Sequence, residues 1–162
     1  MHFNNVTTGW VLKRRDVENA KNRAREMLQA SGIVLSGDQT IEITDFGKND
    51  YEKIGLGLII RINEPEYASK WLTILPGQSC PNHYHKKVKE TFFIIEGDVK
   101  MTLDGKVLEM KAGSKVTLAP GTWHKFSSEN GAVIEEITTH QIPDDSYFED
   151  PGIKRYVTIE DG

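Results

Sequence analysis

One early stretch of the chain carries apolar residues at helical spacing: Val17, Ala20, Ala24, Met27 and Leu28. That period predicts an amphipathic helix with one buried face. Asp16 is placed to cap its N-terminus and Gly32 to end it. Arg23, Arg25 and Glu26 fall on the opposite, solvated face. Residues 1–15 show no clear period and read as an arm or short extension. From Ile41 onward the texture changes to short apolar segments separated by turn signals about every ten residues, the pattern of an all-β domain. Strands are expected near 41–44, 55–62, 70–75, 92–96, 99–103, 106–110, 115–118, 123–127, 132–139 and 154–159. Asp104-Gly105 is a tight-hairpin signal, because both central residues of such a turn need positive φ. Pro76-Gly77 and Pro120-Gly121 mark further turns, and residues 141–152 read as a polar loop. The organisation is one domain: an arm and helix over residues 1–40, packed on a β domain over 41–162.

Composition narrows the classes. A chain of 162 residues suits a single domain with a real core. Its net charge of −4 gives no basic patch for nucleic acid, so none is expected as a partner. No apolar run approaches the roughly 20 residues of a membrane span, and the N-terminus lacks the apolar stretch of a secretory signal. Cys80 is the single cysteine and has no internal disulfide partner, which fits a reducing compartment. A cytoplasmic protein is the expectation.

The chemistry-bearing residues concentrate between Gly77 and Gly97. His83 and His85 stand two apart, and side chains at i and i+2 of a strand share a face. Glu90 follows after Lys86-Lys87-Val88-Lys89, and His124 lies in a second glycine-bounded segment that starts at Gly113. Three imidazoles and a carboxylate form a mixed N/O set that suits manganese, iron, nickel or zinc better than calcium or magnesium. Adjacent Glu135 and Glu136 point to opposite faces of a strand, so one faces inward; parity alone does not say which. Trp123 and Phe126 are expected to pack, and Cys80 has no identifiable partner base that would make it a nucleophile.

The spacing of Gly77, His83, His85, Glu90 and Gly97, followed by Gly113, Gly121 and His124, resembles the two motifs of the cupin superfamily. Two departures leave the ligand positions untouched: Ala119-Pro120-Gly121 displaces the usual proline by one place, and Ser128 stands where an asparagine is common. The resemblance implies an all-β jelly-roll barrel, a double-stranded β-helix, with an N-terminal helix and a metal inside. The flanks narrow the likeness. Ala30 to Leu35, Asp45-Phe46-Gly47, Tyr67-Ala68-Ser69-Lys70, Leu75 to Pro81, Gly131 to Thr139 and Phe148-Glu149-Asp150-Pro151 are similar to the D-lyxose isomerase family of cupins. Members of that family often have longer segments where this chain has Lys86–Lys89 and the Asp104-Gly105 hairpin.

That likeness implies a metal-dependent aldose–ketose isomerase of the D-lyxose/D-xylulose or D-mannose/D-fructose type, working through a metal-stabilised cis-enediolate. His83, His85, Glu90 and His124 would be the metal ligands, with Mn2+ expected and Zn2+, Fe2+ and Co2+ as alternatives. Glu136 would be the catalytic base, and Lys70 would protonate or stabilise a sugar oxygen. Asp150 and Arg155, in the tail, would bind substrate. The partner would be a small sugar, and the enzyme a homodimer. An Fe(II) cupin dioxygenase and a non-catalytic sugar-binding cupin are the competing functions, since one fold hosts many activities.

Overall fold

The computed structural model describes residues 11–153 and 158–160. Strand β1 (Val11–Lys13) runs directly into helix α1 (Arg14–Ala30). The helix begins three residues earlier than the sequence suggests. Asp16 therefore sits inside its first turn, where a carboxylate favours the positive end of the helix dipole, and Lys13 occupies the cap position without a side-chain capping hydrogen bond. At the other end the Ile33 N–H bonds the Leu28 carbonyl at 3.0 Å and the Gly32 N–H bonds that of Gln29 at 3.0 Å. Gly32 takes φ 79°, so this is a Schellman stop, reached at the expected residue.

The remaining elements are β2 (Ile41–Thr44), β3 (Leu56–Asn63), β4 (Ala68–Ile74), β5 (Ser79–Tyr84), β6 (Glu90–Leu103), β7 (Lys106–Lys111), β8 (Lys115–Leu118), β9 (His124–Ser127), β10 (Ala132–Thr138), β11 (Tyr147–Phe148) and β12 (Thr158–Glu160). They pair in the order β11-β5-β9-β6-β10-β4-β3-β2, with β7 and β8 also on β6. β6 serves two sheets. Its first half pairs with β8 and β10, its second with β7 and β9. The sheet thereby curls on itself into a cupin-type half-barrel. The sequence suggests two strands divided at Gly97, whereas the chain continues through it. Gly97 has φ 89°, and a Cβ there would lie 2.0 Å from the Gly131 carbonyl oxygen, so only glycine lets the sheet bend at this point.

Two apolar clusters hold the assembly together. Leu56, Leu58, Leu72, Ile74, Phe92, Ile94, Met101, Phe126 and Ile134 fill the barrel. Val17, Ala20, Ala24 and Leu28 of α1 pack on the outer sheet face against Ile41, Ile43, Ile59 and Val133. The strands show why both faces exist. In β10, Ile134 and Glu136 face the interior while Val133 and Glu135 face out.

Three elements depart from the sequence reading. β5, which carries Cys80 and His83, was hidden by Pro81 and by its polar residues. β11 lies in the stretch expected to be loop. β1 lies in the expected arm and pairs in parallel with β12. The strand expected over 154–159 is described only at its end, as β12; Arg155 lies outside the described residues.

Candidate metal and sugar site

Five strands aim polar side chains at one end of the barrel interior. His83 on β5 faces His124 on β9 across a cross-strand pair, their ring centroids 4.1 Å apart. His85 follows β5, with its ring 5.0 Å from that of His83 and 5.4 Å from that of His124. Glu90 opens β6 and is only 4% exposed; His124 is fully buried. One ring nitrogen of each histidine lies within 4.8 Å of the others.

The protonation pattern follows from the partners. Nδ1 of His83 lies 2.8 Å from the Pro81 carbonyl, that of His85 2.8 Å from the Asp145 carbonyl, and that of His124 3.0 Å from the Thr122 carbonyl. A carbonyl oxygen only accepts, so each Nδ1 donates, and each neutral ring keeps its lone pair on Nε2. The Glu90 carboxylate joins them: Oε1 is 3.2 Å from His85 Nε2 and Oε2 is 3.2 Å from His124 Nε2. His124 Nε2 is buried and makes no hydrogen bond. Acceptors that converge at such distances repel unless a cation or protons lie among them. Backbone carbonyls that fix the histidine tautomer are also the usual outer support of a metal site. The residues present therefore fit a divalent ion.

The electrostatics tell the same story. Where a proton on the imidazoles stands in place of an ion, burial pushes the Glu90 carboxyl up, but the hydrogen bond from His85 and the charges of His124, His85 and Lys70 outweigh it and hold the group below its ordinary value. Burial pulls His85 down, and Glu90, the Asp145 carbonyl and Glu136 more than reverse this, raising it. In His124 burial wins over the charge of Glu90, and the imidazole stays below its ordinary value.

Beside this cluster stand Lys70 on β4 and Glu136 on β10, both 8% exposed and directly opposite in register. Lys70 Nζ lies 3.7 Å from Glu136 Oε1. The cavity lining includes Lys70, His83, His85, Glu90, His124 and Glu136. Glu135 points the other way and pairs with Arg61 on the outer face. Asp150 is not brought to the cavity. It is an exposed turn residue that binds Lys48 and the Gly152 N–H, and these contacts hold its carboxyl below the usual range.

Sequence reasoning missed the segment that walls the site. Asp145, 5% exposed, accepts the Lys86 and Lys87 N–H groups at 3.0 Å each while its carbonyl holds His85. Phe148 packs its ring 5.3 Å from His83, and Gln141 and Ser146 complete the lining. The stretch has neither helical nor strand period; Tyr147-Phe148 after a run of polar residues was its only signal.

Fold and site together define a cupin. The family description for the cupin domain matches residues 70–138. The chain is 30% identical to the D-lyxose/D-mannose isomerase of Thermosediminibacter oceani, over 93% of this chain and all of that protein. It is 27% identical to the D-lyxose ketol-isomerase of Cohnella laeviribosi, over 87% of this chain and 94% of that one. Among solved structures, L-ribose isomerase of Cellulomonas parahominis superposes with a TM-score of 0.78 at 13% identity, covering 93% of this chain and 99% of that one, which is a likeness of fold. The chain belongs to the D-lyxose isomerase family of cupin sugar isomerases.

Proposed function

We propose that the protein is a metal-dependent aldose–ketose isomerase acting on D-lyxose, D-mannose or a sugar of the same configuration at the reacting carbons. The observation that carries this is the junction of two groups in one cavity: the acceptor-only cluster of three imidazoles and Glu90, and the buried Lys70–Glu136 pair beside it. His83, His85, Glu90 and His124 would hold the ion, and Mn2+ suits their nitrogen and oxygen donors. When bound, such an ion polarises a carbonyl and screens charge on sugar oxygens.

Glu136 takes the proton from C2 of the open-chain aldose. The electron pair of that C–H bond becomes the C1=C2 bond of an enediolate, and the C1 carbonyl pair moves onto O1. Glu136 returns its proton to C1, O2 gives up its own proton and becomes the ketose carbonyl, and O1 ends as a hydroxyl. Lys70, next to Glu136, is placed to carry the proton between the two oxygens. Apolar walls from Leu58, Leu72 and Phe92 keep bulk water from the enediolate.

The enzyme is further proposed to work in the cytoplasm, where buried Cys80 stays reduced, and as a homodimer. The outward face of β4, β10 and β6 supports the dimer: Trp71 and Phe93 are half-buried there and Ile137 is exposed. Residues 1–40 and 41–162 are proposed to fold as one unit, since the helix covers the barrel's outer face.

A panel of aldoses and ketoses tests the function, with apo-protein reloaded separately with Mn2+, Fe2+, Co2+ and Zn2+, in air and without oxygen. Interconversion of an aldose and its ketose, equal under both atmospheres, is expected. Turnover that needs oxygen would move the protein to oxygenase chemistry.

A further inference from the structure

The cavity that holds the site adjoins a second one. The inner chamber, with the histidines, has a volume of only about 60 Å3. A neighbouring chamber of about 330 Å3 lies between β2, β3 and the segment 141–146, and the two share Leu58, Lys70, Gln141 and Ser146 as walls. Pockets that enclose small molecules usually run to about 300–1,000 Å3. The inner chamber therefore suits the reacting end of a sugar, and the remainder of the chain has to lie elsewhere.

Strand register shows what faces the outer chamber. Glu42 on the edge strand pairs with Leu58, and Leu58 pairs with Leu72. Directly opposed residues share a face, and Leu58 and Leu72 both line the inner chamber, so Glu42 is on the inward face of β2. Gln141 is half-buried, and Asn63 and Asp144 are at the exposed rim. Asp144 takes φ 62°, in the left-handed region, just before Asp145 anchors the segment to the His85 loop. Leu58, Ile60 and Pro143 supply an apolar side. The one cation in this lining is Lys70, which lies 3.7 Å from Glu136. Carboxylate acceptors, amides and an apolar flank suit carbons that bear hydroxyl groups and carry no charge. A phosphate ester would meet Glu42 and Asp144 instead.

We propose that this outer chamber is the subsite for the distal carbons of the sugar, that Glu42 and Gln141 hold their hydroxyl groups, and that its carboxylates turn away a phosphorylated end. The inference rests on the isomerase reading of the inner site. It makes Glu42 and Gln141 determinants of chain-length preference, separate from the residues proposed for chemistry.

D-mannose differs from D-lyxose by one further hydroxymethyl carbon, so the two sugars isolate the distal contact. Metal-loaded wild type, Glu42→Ala and Gln141→Ala are compared on both. Loss of a hydrogen bond to a charged acceptor corresponds to about a tenfold change. KM for D-mannose is expected to rise about tenfold in Glu42→Ala, and that for D-lyxose less, with kcat within about twofold and metal affinity unchanged. A KM that does not move, or that rises equally for both sugars, would overturn the subsite. Calorimetric titration with D-mannitol and D-arabinitol, which cannot isomerise, keeps the two levels of inference apart. Weaker D-mannitol binding in Glu42→Ala without any aldose turnover by wild type supports the subsite and removes the isomerase. Polyol binding that is absent from wild type or unaffected by Glu42→Ala removes the subsite. D-mannose 6-phosphate is expected to bind at least about tenfold more weakly than D-mannose; equal or tighter binding would overturn the exclusion of charge.

Discussion

Among the buried carboxylates of this fold, Glu90 and Asp45 are pushed in opposite directions by their surroundings. Glu90 lies among His85, His124 and the charge of Lys70, and is held below its ordinary value despite burial. Asp45 lies in the loop after β2, fully buried, with no ion pair. Burial raises its pKa to about 6, although the Gly47 and Asn49 N–H groups work against the shift. Its Oδ1 accepts the Gly47 N–H at 3.0 Å while Oδ2 has no hydrogen-bond partner. Equal burial thus marks two different uses. At Glu90 cationic and imidazole neighbours keep the carboxylate ionised, as its proposed role as a metal ligand requires. At Asp45 a carboxyl serves as a turn-forming group that holds Phe46 and Gly47 in left-handed geometry, with φ 55° and 82°.

The contrast breaks most visibly at its metal end. His124→Ala removes a proposed ligand and is expected to lower turnover by about 1,000-fold or more. It should also abolish the stabilisation a bound ion gives, about 2.7 kcal/mol when free metal is at 100 times its dissociation constant. Thermal melts of wild type and variant with and without Mn2+ check both parts; a variant that still melts higher with metal would remove His124 from the ligand set.

At the other carboxylate the expected effect is on stability alone. The folded protein keeps a proton on Asp45 to higher pH than the unfolded chain does, so stability falls as pH rises from about 4 to about 6 and stays lower above that. The full cost is at most on the order of 3 kcal/mol. Asp45→Asn keeps an acceptor for Gly47 and removes the charge, so urea midpoints should lose their decline over this window, with metal affinity unchanged. A variant whose midpoints keep the wild-type pH slope would assign that slope to another group.

Asp145→Ala sharpens the metal end further. Its carboxylate ties the Lys86–Lys87 backbone beside His85, and outer groups of this kind are worth about 10–100-fold in metal affinity. Metal titration with a competing chelator reads the change; unaltered affinity would make Asp145 a fastener of the tail only. The smallest effect belongs to Glu135→Ala, which breaks an outward pair with Arg61 and should cost at most about 1 kcal/mol with turnover intact.

The barrel was legible because its strands are short apolar segments divided by turn signals, and signals such as the Asp104-Gly105 turn, with φ 47° and 82°, are local facts. The ligand spacing was legible for the same reason. Strand β5 was not, because Pro81, Asn82 and the histidines obscure its alternation, and its register with β9 is set by cross-strand pairing. Asp145 was invisible because its role depends on contacts nearly 60 residues back in the chain. The choice between Glu135 and Glu136 needed kinship, since parity gives two equal answers; the fold turns Glu136 inward and gives Glu135 to Arg61.

Single-turnover isomerisation by Glu136→Gln, metal-loaded and matched to wild type in metal content and sugar affinity, tests the central claim most directly. Turnover should fall by about 1,000-fold, within the usual range for removal of a general base, with D-lyxose affinity retained. Turnover at the wild-type rate would contradict Glu136 as the base and return the proton transfer to another group in the cavity.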